Sequence, residues 1–221
     1  MSIYREDIEP TISIFTEKHD PFDRYASYDY CFNHFNPANP ICITDDMEKS
    51  CLSLGFYLAS WGMFRGSSFL LKKSAQTFIP LIEYIATLNE SAWDIDANNL
   101  SQNTDEIIEI YNNVRSFLIP IKSAHLTLTT KVMLGVFGSV PAFDRFFIES
   151  FKSIFQGKCG FTSFNKKSLE CIEQFYTSNA MVIDNQAKLL HTIGFNNSTI
   201  NYPYTKSKVI DMYGFTKGLN A

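Results

Sequence analysis

Along most of this chain apolar residues return every three or four positions, and no stretch sustains the two-residue alternation of a half-buried strand. From Arg24 the rings of Tyr25, Tyr28, Phe32 and Phe35 share one helical face, and Asn36-Pro37-Ala38-Asn39-Pro40 breaks it. Thr44 stands where it can cap the next helix, with Asp45, Asp46 and Glu48 at the positive end of its dipole. That helix is expected to reach Phe64, with Met47, Cys51, Leu54, Leu58 and Trp61 on one stripe. Its apolar residues soon cover more than one face, which predicts a central helix packed on several sides. Residues 1–23, interrupted by Pro10 and Pro21, read as an extended arm.

Ser67 to Leu88 reads as a helix kinked at Pro80, and the amide-rich segment 89–103 reads as a linker. Thr104 then caps a helix whose Ile107, Ile108, Tyr111, Val114 and Leu118 keep the period as far as Pro120. Helices follow over about 122–137, 142–155 and Lys166 to Thr192, the last stopped by Gly194, and a short one over Tyr204 to Met212. The expected class is all-α. One helical domain of about eight helices spans 1–221, and if it has two closely packed lobes they meet in 89–103.

Composition supports a well-filled interior. With 45% hydrophobic and 19% charged residues among 221 the chain is not disordered, and its 20 Phe and 11 Tyr bring much area each. A chain of this mass hides roughly 70% of its unfolded surface, so neither disulfides nor a metal are needed as staples. Five cysteines, odd in number and without a Cys-x-x-Cys pair, point to reduced thiols and a cytoplasmic location. The start, Met1-Ser2-Ile3-Tyr4-Arg5-Glu6-Asp7, lacks the character of a secretory leader. The most apolar stretch, Cys51 to Leu71, is too rich in serine, glycine and arginine for a membrane span.

The net charge of −4 conceals an asymmetry: residues 1–50 carry 4 basic and 10 acidic side chains, 51–120 carry 4 and 7, and 121–221 carry 11 and 6. Lys166, Lys167, Lys188, Lys206, Lys208 and Lys217, with Tyr202 and Tyr204 between them, could meet a nucleic acid by charge and stacking. The alternative is a solvated face behind a last helix docked by Val209, Ile210, Met212 and Tyr213.

The stretch Thr129-Thr130-Lys131-Val132-Met133-Leu134-Gly135-Val136-Phe137-Gly138-Ser139-Val140-Pro141-Ala142-Phe143-Asp144-Arg145 carries one lysine on an apolar helix, a turn with Pro141, and Asp144 at the next helix start. It resembles the end of the catalytic region of helix-hairpin-helix DNA glycosylases. That resemblance implies that Lys131 occupies the place of the amine nucleophile, and Asp144 that of the carboxylate facing positive charge on the sugar. In that family a glycine-rich turn precedes the lysine, whereas Ile119 to His125 contains no glycine here. The other account of the same residues is a lysine snorkelling from an amphipathic helix and an aspartate capping the next.

Arg65 forms a second candidate. Beside Trp61 and Phe64, and just before Ser67 and Ser68, its guanidinium suits an anion held with two hydroxyls, or else a carboxylate in an interhelical joint. Cys31, His34, Cys42 and Cys51 match no zinc spacing, and the cysteines read as core thiols, so no metal and no cofactor is expected. His19, His34, His125 and His191 are scattered, and His125 joins Lys131 only if the tertiary fold brings them together. The leading expectation is a non-catalytic binding or regulatory protein, whose partner could be another protein, away from membranes. Its alternatives are a nucleic-acid-associated protein like the glycosylases, and a small-molecule enzyme built round Arg65.

Overall fold

The computed structural model describes residues 4–17, 19–39, 44–119, 125–195 and 201–220. Among them the regular structure is helical: α1 (Ile8–Thr16), α2 (Ala26–Phe35), α3 (Met47–Ser60), α4 (Ile79–Ala86), α5 (Thr104–Leu118), α6 (Leu126–Val132), α7 (Arg145–Ile154), α8 (Lys166–Leu189) and α9 (Lys206–Leu219). No strand occurs among the described residues beyond an isolated bridge between His191 and Pro203. The all-α reading holds. None of these helices is long and apolar enough to cross a membrane.

The central segment behaves as its pattern predicts. Cys51, Leu54, Tyr57 and Leu58 of α3 are buried, as are Tyr28, Phe32 and Phe35 of the neighbouring α2. Its cap, however, is Asp46, whose carboxylate accepts from the Lys49 N–H at 3.0 Å; Thr44 is not the capping residue. The helix also stops at Ser60, short of Phe64. Gly62 adopts φ +80°, and the Met63 and Gly62 N–H groups bond back to Leu58 O (2.8 Å) and Ala59 O (3.0 Å). That left-handed stop turns the chain sharply and launches the segment carrying Arg65.

Other boundaries moved for physical reasons. The expected arm contains α1, because Pro10 sits in its first turn, where a missing N–H breaks no helical bond. The expected helix over 67–88 is two 3-10 turns (Phe69–Lys72, Ala75–Phe78) and the short α4, in which Pro80 sits at the start and kinks nothing. Thr104 opens α5 without capping it; its hydroxyl donates to Leu100 O at 3.0 Å. α8 ends at Leu189, before Gly194, and breaks internally at Asn179, whose amide donates to Tyr4 O at 2.8 Å and accepts from Glu6 N–H at 2.9 Å. α9 runs seven residues beyond Met212, to Leu219.

Residues 89–103 pack into the same interior: Ala92, Ile95, Ala97 and Leu100 are buried within the common hydrophobic cluster. From this segment the Asp96 carboxylate accepts the Lys206 and Ser207 N–H groups (2.9 and 2.8 Å), holding the positive end of α9. α9 packs most closely on α7, and every residue from Ser207 to Thr216 is buried.

Candidate functional site

α6 continues past Val132 as a π-helical turn, Met133–Phe137. Side chains serve the carbonyls of this stretch: the Tyr57 hydroxyl donates to Lys131 O (3.0 Å), and the Trp93 indole N–H donates to Val136 O (2.9 Å). Such turns often mark functional places in a helix. The following loop is stitched down as well. Thr127 Oγ1 donates to Phe143 O (2.8 Å), Phe143 N–H to Thr130 Oγ1 (2.9 Å), and Ala142 N–H to Asp211 Oδ1 (3.0 Å). Asp144 therefore arrives at the start of α7 in a fixed position, and its carboxylate caps that helix through the Phe147 N–H at 3.0 Å.

The two residues singled out by the resemblance do meet. Lys131 Nζ lies 3.7 Å from Asp144 Oδ2. The lysine does not snorkel: it is 3% exposed, its ammonium donates to Trp61 O at 2.7 Å, and it stands 5.3 Å from the Trp61 ring centre. Burial pushes its pKa below the ordinary lysine value; Asp144 and Asp211 oppose that fall, and Arg65 adds to it. The amine is enclosed. Residues 120–124, where the resemblance would place a phosphate-holding turn, lie outside the described residues.

A second buried lysine shares this interior, and pattern reading missed it. Lys208 is 1% exposed, although its place among C-terminal lysines suggested a solvated face. Its ammonium is ion-paired to Asp211 Oδ2 (3.3 Å) and lies 4.2 Å from the Tyr28 ring centre and 4.5 Å from that of Trp61. Burial lowers its pKa and raises that of Asp211, each restrained by the other's charge. Nearby Asp29, fully buried, takes the Tyr204 hydroxyl (2.8 Å) and His19 Nε2 (2.7 Å). Part of the basic C-terminal excess is paired within the chain: Lys208 with Asp211 in the interior, Lys206 with Asp96 and Lys217 with Glu6 where they are partly open, and Lys166 with Glu170 on the surface. Tyr204 is buried too, so only Tyr202 of the two expected stacking rings is partly open.

Arg65 belongs to a different place. A cleft of about 950 Å³ opens between the segment after α3, the C-terminal half of α5, the start of α6 and the loop before α8. Arg65, Arg115 and His125 line it, with Ser67, Ser68, Asn112, Thr127, Thr162 and Ser163 supplying polar groups. None of its described lining residues is acidic. Arg65 and Arg115 are exposed and form no ion pair among the described residues. The Arg65 guanidinium folds back over Gly62, where an added Cβ would lie 3.1 Å from Cζ.

Of the expected anion set, Arg65, Ser67 and Ser68 thus come together in the cleft. Trp61 lies behind it in the core, against Tyr25 and Tyr57 at 5.0 and 5.9 Å between ring centres. Lys131 and Asp144 do not line the cleft, although Thr127, one turn before Lys131, does. Sequence reasoning missed Arg115, Tyr111 and Phe164 as wall residues. Arg115, a cation in the last turn of α5, looks like an ordinary dipole partner, and the aromatics look like core. His34 Nε2 sits 2.7 Å from Ser50 Oγ, Cys31 and Cys51 are buried, and Cys42 lies outside the described residues. No cluster fit to hold a metal occurs among the described residues. Comparison with protein-family models, with curated proteins and with solved structures returned no match.

Proposed function

We propose that this protein is a binding or regulatory protein whose ligand is a small anion-bearing molecule held in the Arg65–Arg115 cleft. One observation carries the reading: two guanidiniums face the same cleft, neither neutralised, and no described wall residue is a carboxylate. In a chain of net charge −4 such a concave basic site is a local exception, and it concentrates anions from solution. Planar guanidiniums suit the paired oxygens of phosphate or carboxylate, and the surrounding hydroxyls add neutral donors. Four free, buried cysteines favour a reducing compartment, and we assign the protein to the cytoplasm on that ground.

Lys131 and Asp144 receive a structural role in this reading. The ammonium ties the last carbonyl of α3 to the capping carboxylate of α7, and both partners are used up within the fold. Calorimetric titration with inorganic phosphate and pyrophosphate tests the site. Binding that weakens with salt and disappears in the Arg65→Ala/Arg115→Ala double variant is the expected result. Absence of binding by the native protein, or binding that survives both substitutions, overturns it.

A further inference from the structure

The walls of the cleft are specific enough to name a ligand class, given the anion-binding reading on which this step rests. We propose that the ligand is a mononucleotide, with its base stacked on Phe164 and its phosphate held by Arg115 and Arg65.

The aromatic wall is the first ground. Tyr111 and Phe164 lie parallel, 4.3 Å apart between centres and 7° between planes. Tyr111 is buried, whereas Phe164 is only half-buried and lines the cleft, so it presents the outer ring of a ready-made stack. A planar heterocycle extends such a stack with little selectivity for its identity. Buried Phe143 also meets Phe164, at 5.9 Å between centres and 44° between planes, a second ring contact that helps hold the platform.

The spacing of charge from ring is the second. Arg115 follows Tyr111 by one helical turn on α5, roughly 6 Å along the axis. A guanidinium one turn from an aromatic stack matches the separation of a base from the phosphate of its own nucleotide. Arg65 closes on the same cleft from the segment after α3. Asn112 is exposed and lies between these two α5 residues in sequence; its amide carries both donors and an acceptor, the groups that pair with a base edge.

The third ground separates a nucleotide from a strand. A strand-binding groove carries cations along several phosphates. Here Lys206, Lys208 and Lys217 are paired with carboxylates, and the described walls of the cleft present two guanidiniums rather than a row of cations. A volume of about 950 Å³ falls within the range of small-molecule sites.

A ladder of probes tests this on the full chain: inorganic phosphate, ribose 5-phosphate, adenosine and uridine monophosphates, and an octathymidylate strand. The monophosphates should bind about tenfold or more tightly than ribose 5-phosphate, a factor expected from one stacked base. Phe164→Leu, which keeps an apolar side chain but no ring, should erase that factor while leaving phosphate binding intact. Arg115→Ala should weaken every phosphate ligand alike. Equal affinity for ribose 5-phosphate and the nucleotides, with phosphate still bound, overturns the nucleotide proposal and spares the anion site. Failure of every probe, phosphate included, removes both. Octathymidylate binding more than about eightfold tighter than a single nucleotide, beyond its number of equivalent units, replaces the proposal with a strand site.

Discussion

The ammonium of Lys131 donates at 2.7 Å to the backbone carbonyl of Trp61, which terminates α3. That carbonyl lies at the negative end of the α3 dipole, and Asp144, whose Oδ2 is 3.7 Å from the ammonium, caps the positive end of α7. One buried charge thus joins the ends of two helices from the flank of a third. Such a charge is stabilising only while its partners remain, since an unpaired buried ion carries its full desolvation penalty.

Asp144→Asn preserves the capping oxygen but removes the charge. It is expected to destabilise the protein by about 1–3 kcal/mol, below the range for fully buried pairs because the carboxylate is partly wetted. Lys131→Met removes the ammonium as well as the need for its partner. A double-mutant cycle in urea should therefore show that the double variant loses clearly less than the two single losses combined. Simple additivity would mean that the pair does not act as a unit.

The clamp also makes a chemical prediction. An amine that is 3% exposed and already bonded cannot reach an aldehyde without α3 and α6 separating. Incubation with abasic DNA and borohydride is expected to leave no adduct at Lys131. A trapped species that disappears in Lys131→Met would instead give this residue the nucleophile's role implied by the glycosylase resemblance.

Helical period was legible from the residues alone, as α5 illustrates, and so was the Asp144 cap, whereas the caps expected at Thr44 and Thr104 were not found there. Local reading failed where a residue's setting is set by distant chain. Lys208 looks solvated beside Lys206, yet Tyr28 and Trp61, from α2 and the end of α3, enclose its ammonium. α1 is hard to see in the sequence because Pro10 looks like a breaker, and only its place in the first turn makes it compatible with a helix. Arg65 was legible beside Trp61, Phe64, Ser67 and Ser68. Arg115 and Phe164 were not, because the cleft is assembled from segments some fifty residues apart and no local pattern records the third dimension.

The contact of α9 with α7 depends on glycine at 218. A Cβ there would collide with the backbone carbonyl of Phe146, which cannot swing aside as a side chain would. Gly218→Ala is expected to cost about 2–3 kcal/mol, the range for an overpacked interior, and to lower Tm by roughly 5–10 °C. Gly214, one turn earlier, would place its Cβ 2.6 Å from the Phe147 ring, a neighbour able to rotate. Gly214→Ala should be the milder variant. Equal tolerance of both in a thermal melt would show that the helices pack less closely than described.

Alkaline pH supplies a test of the interior as a whole. Burial raises the pKa of Tyr28, Tyr57, Tyr111, Tyr204 and Tyr213, with neighbouring carboxylates reinforcing the rise at all of these except Tyr111. Tyr176, pushed up to about 12, is more exposed and counts for less. An acid with a raised folded pKa stays protonated while its unfolded counterpart ionises near 10. Its contribution to stability is fully present below that value and is lost as pH climbs toward the folded one. Lys131 and Lys208 act in the opposite sense: their folded pKa lies below the unfolded value of about 10.4, so their burial penalty eases as pH rises through it. Five buried phenols against two ammoniums leave a net loss. Unfolding free energy should therefore fall between pH 10 and 12. Tyrosinate absorbance of the native protein should rise in step with loss of helical circular dichroism, whereas the guanidinium-unfolded chain titrates smoothly near 10. Ionisation of all 11 tyrosines near pH 10 with the helices intact would contradict the burial of these rings.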